Sequence, residues 1–374
     1  MRRGKVAIFT KPGAAIQIVE EDSPAPQADQ ILVRTVMAGV CGSDAHRVRG
    51  DMAAPAQPIC FGHEAVGVIE ALGSEIQTDR MGVPLAVGDL LYWMPSTPCG
   101  SCWDCRIANP LRCQHLNWPV AAGGPNAAGF REYATLSKRC TFIRVPAGTA
   151  AESVIVFGCA MPTALRGFSR LGGSSDNDTN TNTTNSFNWN DIDVVIQGSG
   201  PVGLASTLLA SLAGARTVTV IGDPASRLEV ATRLGATKTL SVAHTTQQQR
   251  REEIQQLTRG CGAGVVVEAA GAAAAFPEGF DLLGANGRYL ILGLYSGQAA
   301  TTIDPVRINN LNLSIIGSLG IEIEAYYRTV EIAMHHGPRL GLADLVTHRF
   351  PLDKLDEALR LVAEGVPVKA VIVP

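Results

Sequence analysis

DVVIQGSGPVGLASTLLASLAGA, residues 193–215, joins a short apolar run to a long one through Gly198, Gly200 and Gly203. A G-x-G-x-x-G hexapeptide is a weak signal alone. Here it directly follows a strand-like run and opens a helix-like one. In that setting the glycines let the backbone turn tightly and approach a pyrophosphate, while the helix N-terminus offers free N–H groups and a favourable dipole. The stretch therefore predicts a dinucleotide site with Gly198, Gly200 and Gly203 as its phosphate loop. The next strand, TVTVIG, runs into DP, and an acid about 20 positions beyond the last glycine holds the adenosine ribose in such sites. Asp223 is the candidate.

Outward from this point the texture repeats. The helix pattern SRLEVATRLGA follows TVTVIG, and the strands VVVEAAG and RYLILGL come later. Alternating βαβ units imply a doubly wound parallel sheet and an α/β fold class. The first ~160 residues read differently, as short apolar runs (VAIFT, ILVRTVMAGV, EAVGVIEALG, DLLYWMP) broken by Gly and Pro, which suits a bent sheet or barrel. After Leu319, a helical stretch over 321–334 and the closing HRFPLDKLDEALRLVAEGVPVKAVIVP do not extend the nucleotide-binding pattern; they are expected to return to the first domain. Residues 172–191, GGSSDNDTNTNTTNSFNWND, hold almost no core-forming side chains and read as a surface loop without chemistry.

Length and composition suggest two domains of a soluble protein. The chain has 374 residues, 46% hydrophobic and 17% charged, with a formal net charge of −3, so it lacks the broad basic field that nucleic-acid affinity needs. No window approaches the ~18 apolar residues of a membrane span, and MRRGKVAIFTKPG is not a signal peptide. A cytoplasmic chain acting on a small molecule is expected. In a reducing compartment its nine cysteines read as metal ligands more readily than as disulfides.

Two cysteine-bearing constellations follow. PCGSCWDCRIANPLRC, residues 98–113, places Cys99, Cys102, Cys105 and Cys113 in a C-x2-C-x2-C-x7-C pattern, which can close around one tetrahedral zinc with no position left for substrate. Upstream, GVCGSDAHRVRG (39–50) and CFGHEAVG (60–67) supply Cys41 and His63, and VFGCAMPTALRG (156–167) supplies Cys159. Two thiolates and one imidazole leave a fourth position open, as catalytic zinc sites do. Cys60, Cys140 and Cys261 are expected to pack in the interior.

GVCGSDAH, GHE, the four-cysteine lobe, GCAMPT and GSGPVG occur in one order over nearly the whole chain, and by these motifs it resembles the zinc-containing alcohol dehydrogenases of the medium-chain dehydrogenase/reductase superfamily. The resemblance implies a chaperonin-10-like β-barrel catalytic domain over 1–160 with a zinc lobe at 95–115, a Rossmann domain over 161–318, and a C-terminal return over 319–374. It implies two zinc ions per chain and hydride transfer between an alcohol and NAD(P). By the same resemblance Cys41, His63 and Cys159 hold the catalytic zinc, with Glu64 beside it as a transient ligand. Asp44 orients the ligand histidine, Ser43 takes the alcohol's proton, and His46 relays it to solvent. Lys369 approaches the pyrophosphate. Met52, Ser96, Trp118 and Leu294 fall near the substrate pocket.

Aligned on the following helix, Gly222 stands where NAD-preferring relatives carry their acid, and Arg227, five residues on, suits either ribose or phosphate. Asp223 would repel a 2′-phosphate, so NAD is favoured over NADP. A homodimer or homotetramer is implied. Two other readings remain open on the residues: a zinc-free reductase of the same superfamily, which would lack the ligands at Cys41, His63 and Cys159, and a non-catalytic zinc- and nucleotide-binding sensor.

Overall fold

The computed structural model describes residues 2–108, 112–116, 126–172, 188–293, 300–320 and 322–374. Asp193–Gln197 is buried at every position, as a strand covered on both faces must be, which explains why it reads as a continuous apolar run. It pairs in parallel with Thr217–Gly222 on one side and Ala263–Glu268 on the other. The complete sheet runs Lys238–Ser241, Thr217–Gly222, Asp193–Gln197, Ala263–Glu268, Leu283–Ile291, Ser314–Gly317, and every pairing in it is parallel. The helix Pro201–Leu212 begins with its proline in the first turn, where the missing N–H costs nothing. Gly198 takes φ +106°, and a Cβ on Gly203 would lie 1.9 Å from the Gly198 carbonyl oxygen. Both positions need glycine for the turn to close.

The chain divides into two units, Met1–Pro162 with Gly320–Pro374, and Thr163–Leu319. In the first, a largely antiparallel sheet runs Val346–Pro351, Lys369–Val373, Gln30–Val40, Ala65–Leu72, Leu90–Met94, Thr141–Val145, with Tyr133–Ser137 also on Gln30–Val40. The C-terminal strand Lys369–Val373 lies antiparallel to Gln30–Val40, Ala370 opposite Val40. Its largely aliphatic core contains an aromatic cluster: Phe61 packs edge-on against Phe9 and Phe130 at 5.7 and 5.1 Å, and buried Trp93 donates Nε1–H to the Ala127 carbonyl at 2.8 Å. The helix over Ile323–Leu340 outruns the stretch expected to Met334 and carries Pro338 in its last turn.

Residues 173–187 of the expected loop lie outside the described residues. Its end is held in place, because Trp189 stacks on Phe168 at 5.4 Å. Cys60 and Cys140 are buried, but Cys261 is exposed; it follows the turn at Arg259 and Gly260, both at positive φ, and so does not pack inside as expected.

Candidate active site and metal centres

One turn of helix organises the first site. Cys41 is the N-cap of Gly42–Arg49, and Asp44, three residues on, reaches back so that its Oδ2 accepts the Cys41 backbone N–H at 3.0 Å. The other oxygen of Asp44 lies 3.3 Å from His63 Nδ1. One buried carboxylate thus ties the Cys41 backbone to the His63 ring, and it leaves Nε2 of that ring for a metal. Cys159 comes from beyond the short helix Ala151–Ile155, and its Sγ lies 3.7 Å from that of Cys41. The ligand atoms of Cys41, His63, Glu64 and Cys159 all fall within 4.8 Å of one another.

The electrostatics suit a cation. The contact between the two sulfurs lowers the pKa of the Cys41 thiol, while the same contact and burial raise that of Cys159. Two sulfurs this close suit a shared divalent cation, which takes thiolates as ligands. Burial disfavours the His63 imidazolium, but the Asp44 charge and hydrogen bond outweigh it and raise the ring's pKa. Glu64, also opposed by burial, is held below its ordinary value by the charges of Lys369 and His63.

Ser43 is half-buried in the first turn of the same helix, and so is His46 one turn on. His46 has a partner that the sequence did not suggest: Asp51 Oδ2 lies 2.8 Å from its Nδ1, with the Arg49 guanidinium 2.7 Å away. The contacts of His46 and Arg49 lower the Asp51 carboxyl.

The second group is the lobe. The sulfur atoms of Cys99, Cys102, Cys105 and Cys113 lie within 4.8 Å of one another, with Cys99 to Cys105 and Cys102 to Cys113 both at 3.8 Å. Backbone N–H groups aim at the sulfurs: Cys102 donates to Cys99, and Cys99 and His115 donate to Cys113, each at 3.3 Å. Such bonds favour thiolates, so this group fits a structural zinc closed by four ligands.

Several expected site residues stand differently. Lys369, expected near the pyrophosphate, is buried, and its ammonium pairs with the Glu64 carboxylate beside the metal ligands. The Asp223 carboxylate is turned onto the following loop, where Oδ1 accepts from the Ser241 hydroxyl at 2.7 Å and Oδ2 from the Ala243 N–H at 2.8 Å. Gly222 packs so tightly that a Cβ there would lie 2.6 Å from Ser199 Oγ, and that hydroxyl donates to the Asp223 carbonyl at 2.6 Å. Position 222 has no room for an acid without a shift of Ser199. Arg227 is half-buried, and burial lowers its pKa. Met52 is half-buried and Ser96 buried, whereas Trp118 and Leu294 lie outside the described residues.

With both groups in view, the relatives of the chain can be set beside them. Residues 27–147 match the alcohol dehydrogenase GroES-like domain, and residues 201–334 match the zinc-binding dehydrogenases. The chain is 40% identical to 5-exo-hydroxycamphor dehydrogenase of Pseudomonas putida, over 93% of this chain and 92% of that one. It is 28% identical to an L-threonine 3-dehydrogenase of Pyrococcus horikoshii, over 99% of each. Among solved structures it is similar to an alcohol dehydrogenase of Thermotoga maritima, with a TM-score of 0.87 and 27% identity over 100% of both chains. The chain belongs to the zinc-dependent alcohol dehydrogenases of the medium-chain dehydrogenase/reductase superfamily. It is an enzyme of NAD(P)-linked alcohol oxidoreduction.

Proposed function

We propose that this enzyme oxidises an alicyclic secondary alcohol to its ketone, with NAD as hydride acceptor, at the group formed by Cys41, His63 and Cys159. The meeting of these three ligand atoms within 4.8 Å, with Cys41 capping the helix whose first turn carries Ser43, carries the reading. The choice of alcohol rests on the relative at 40% identity, a hydroxycamphor dehydrogenase, and on the apolar character of Met52, Trp118 and Leu294.

Cys41, His63 and Cys159 would hold a zinc ion, which would supply Lewis acidity toward the substrate hydroxyl. Asp44 fixes the His63 ring. Ser43 Oγ takes the hydroxyl proton, and His46, held by Asp51, passes it on to solvent. One secondary alcohol and one NAD then give one ketone, one NADH and one proton. Cys99, Cys102, Cys105 and Cys113 would hold a second zinc whose role is to stabilise the fold.

For the cofactor, Gly198, Gly200 and Gly203 receive the pyrophosphate on the N-terminus of Pro201–Leu212. Asp223 acts as a fixed negative charge at the end of Thr217–Gly222, disfavouring a 2′-phosphate even though its oxygens already accept from Ser241 and Ala243. The assembly proposed is a homodimer or homotetramer, in keeping with the edge strand Ser314–Gly317 and its exposed Ile315. No helix among the described residues is long and apolar enough to cross a membrane, in keeping with a cytoplasmic enzyme.

Steady-state rates for a panel of alcohols with each cofactor test this reading. Bicyclic and monocyclic secondary alcohols are expected to exceed ethanol and L-threonine in kcat/KM, and NAD to exceed NADP. Asp223→Ser should erode the cofactor preference by about tenfold, or ~1.4 kcal/mol. Highest activity on L-threonine would overturn the substrate class, and an NADP preference in wild type would overturn the role of Asp223.

A further inference from the structure

The group around Cys41 contains four potential ligands, enough to close a tetrahedral site, yet a catalytic metal needs an open position. Glu64 is the member that would close it. What restrains it is visible in its contacts. Glu64 Oε1 accepts the Cys159 backbone N–H at 2.9 Å, and Oε2 pairs with Lys369 Nζ. Both side chains of the ion pair are almost wholly out of solvent, at 1% and 2% exposure.

The surrounding backbone is cut to fit this position of the carboxylate. A Cβ on Gly39 would lie 2.1 Å from Glu64 Oε2 and 2.9 Å from Lys369 Nζ, and a Cβ on Gly158 would lie 2.1 Å from the Glu64 carboxyl carbon. Tyr92 holds that second wall by donating its hydroxyl to the Gly158 carbonyl at 2.6 Å. Two thiolates balance a divalent cation and the Asp44 carboxylate is tied to His63 and the Cys41 N–H, so Glu64 adds a further buried negative charge, with Lys369 as its counter-charge. An uncompensated buried carboxylate is strongly disfavoured. Without Lys369, the cation available to it is the metal.

Resting on the reading of Cys41, His63 and Cys159 as a zinc site, we infer that Lys369 is a positioning residue that keeps the Glu64 carboxylate in its glycine-walled slot and so keeps the zinc's fourth position free for substrate. Lys369 comes from the C-terminal strand, which makes that segment part of the site's construction.

The test compares wild type with Lys369→Met, Lys369→Arg and the double variant Lys369→Met with Glu64→Gln, each purified with its zinc. Two readouts besides turnover are the affinity for bipyridine, a neutral ligand that needs a free position on zinc, and the rate at which zinc passes to an external chelator. In Lys369→Met, bipyridine should bind roughly tenfold more weakly and the more labile zinc should leave roughly tenfold more slowly, with kcat/KM for the alcohol falling in parallel. Lys369→Arg, which keeps the charge, should behave like wild type. The double variant should regain bipyridine affinity, because its amide is a poor zinc ligand; a merely structural lysine would show no such rescue. Should Lys369→Met not fold, Lys369→Gln carries the same expectation. A folded, charge-free variant that binds bipyridine and releases zinc as wild type does would overturn the inference. Wild type holding zinc only at the lobe would instead overturn the catalytic-site reading on which it rests.

Discussion

Replacing Cys41 by serine is expected to lower turnover on the order of 10²-fold or more while leaving thermal stability close to wild type; Cys102→Ser should do the reverse. The asymmetry follows from the two geometries. Cys41 is one of few ligands in a group built around a helix cap, and the fold around it rests on other contacts, among them the Phe9, Phe61 and Phe130 cluster. Cys102 belongs to a lobe whose four sulfurs lie within 4.8 Å. There the metal is itself the core, so binding energy is folding energy. A fall in Tm on the order of 5–10 °C is expected for Cys102→Ser, with one zinc lost per chain. Zinc content, Tm and the rate of NADH formation, measured on the same preparations, decide the matter. Retained turnover in Cys41→Ser with a stability loss equal to that of Cys102→Ser would contradict the division of duties.

Ser43→Ala is expected to slow alcohol oxidation by ~10²–10⁴-fold, the usual worth of a positioned proton acceptor, with little change in cofactor affinity. Ser43 sits two residues after Cys41 in the first turn of Gly42–Arg49 and belongs to a different unit from Gly198, Gly200 and Gly203. The pH dependence should change with the rate, because the alternative route for the proton no longer passes through His46 and Asp51. A profile of kcat/KM against pH that keeps its wild-type shape in Ser43→Ala would remove the relay from the mechanism.

What the sequence conveyed and what it hid divide along chain separation. The lobe cysteines and the phosphate-loop glycines lie within a few residues of their partners, so local geometry translates spacing directly into a site. The capping turn of Cys41 and Asp44 is equally local, but the resemblance points to Asp44 only as the residue that orients the histidine, and its bond to the Cys41 N–H comes from the structure. Lys369 and Glu64 are 305 residues apart, and only the pairing of the last strand with Gln30–Val40 brings them together. At Asp223 the position near the expected acid is readable from the sequence, but the contacts of its carboxylate with Ser241 and Ala243 are not. Nor did sequence reasoning single out Asp51, although a carboxylate five residues after a helical histidine and just past the helix-ending glycine was a usable signal.

The helix Gln247–Leu257 escaped notice for a physical reason. Only Arg250 and Ile254 are buried in it, so it has no apolar stripe to read, and an interior ion pair from Arg250 to Glu278 anchors it instead. The edge strand Ser314–Gly317 is mostly exposed and too short for its alternation to stand out.

The central claim is that a zinc ion at Cys41, His63 and Cys159 is needed for alcohol oxidation. The most direct measurement removes zinc stepwise with a chelator, following zinc released per chain and NADH formed from a secondary alcohol in the same sample. The account predicts that activity disappears with loss of the first, more labile zinc while Tm is largely retained, and that added zinc restores it. Full activity after that zinc has left, with only the lobe still occupied, would contradict it.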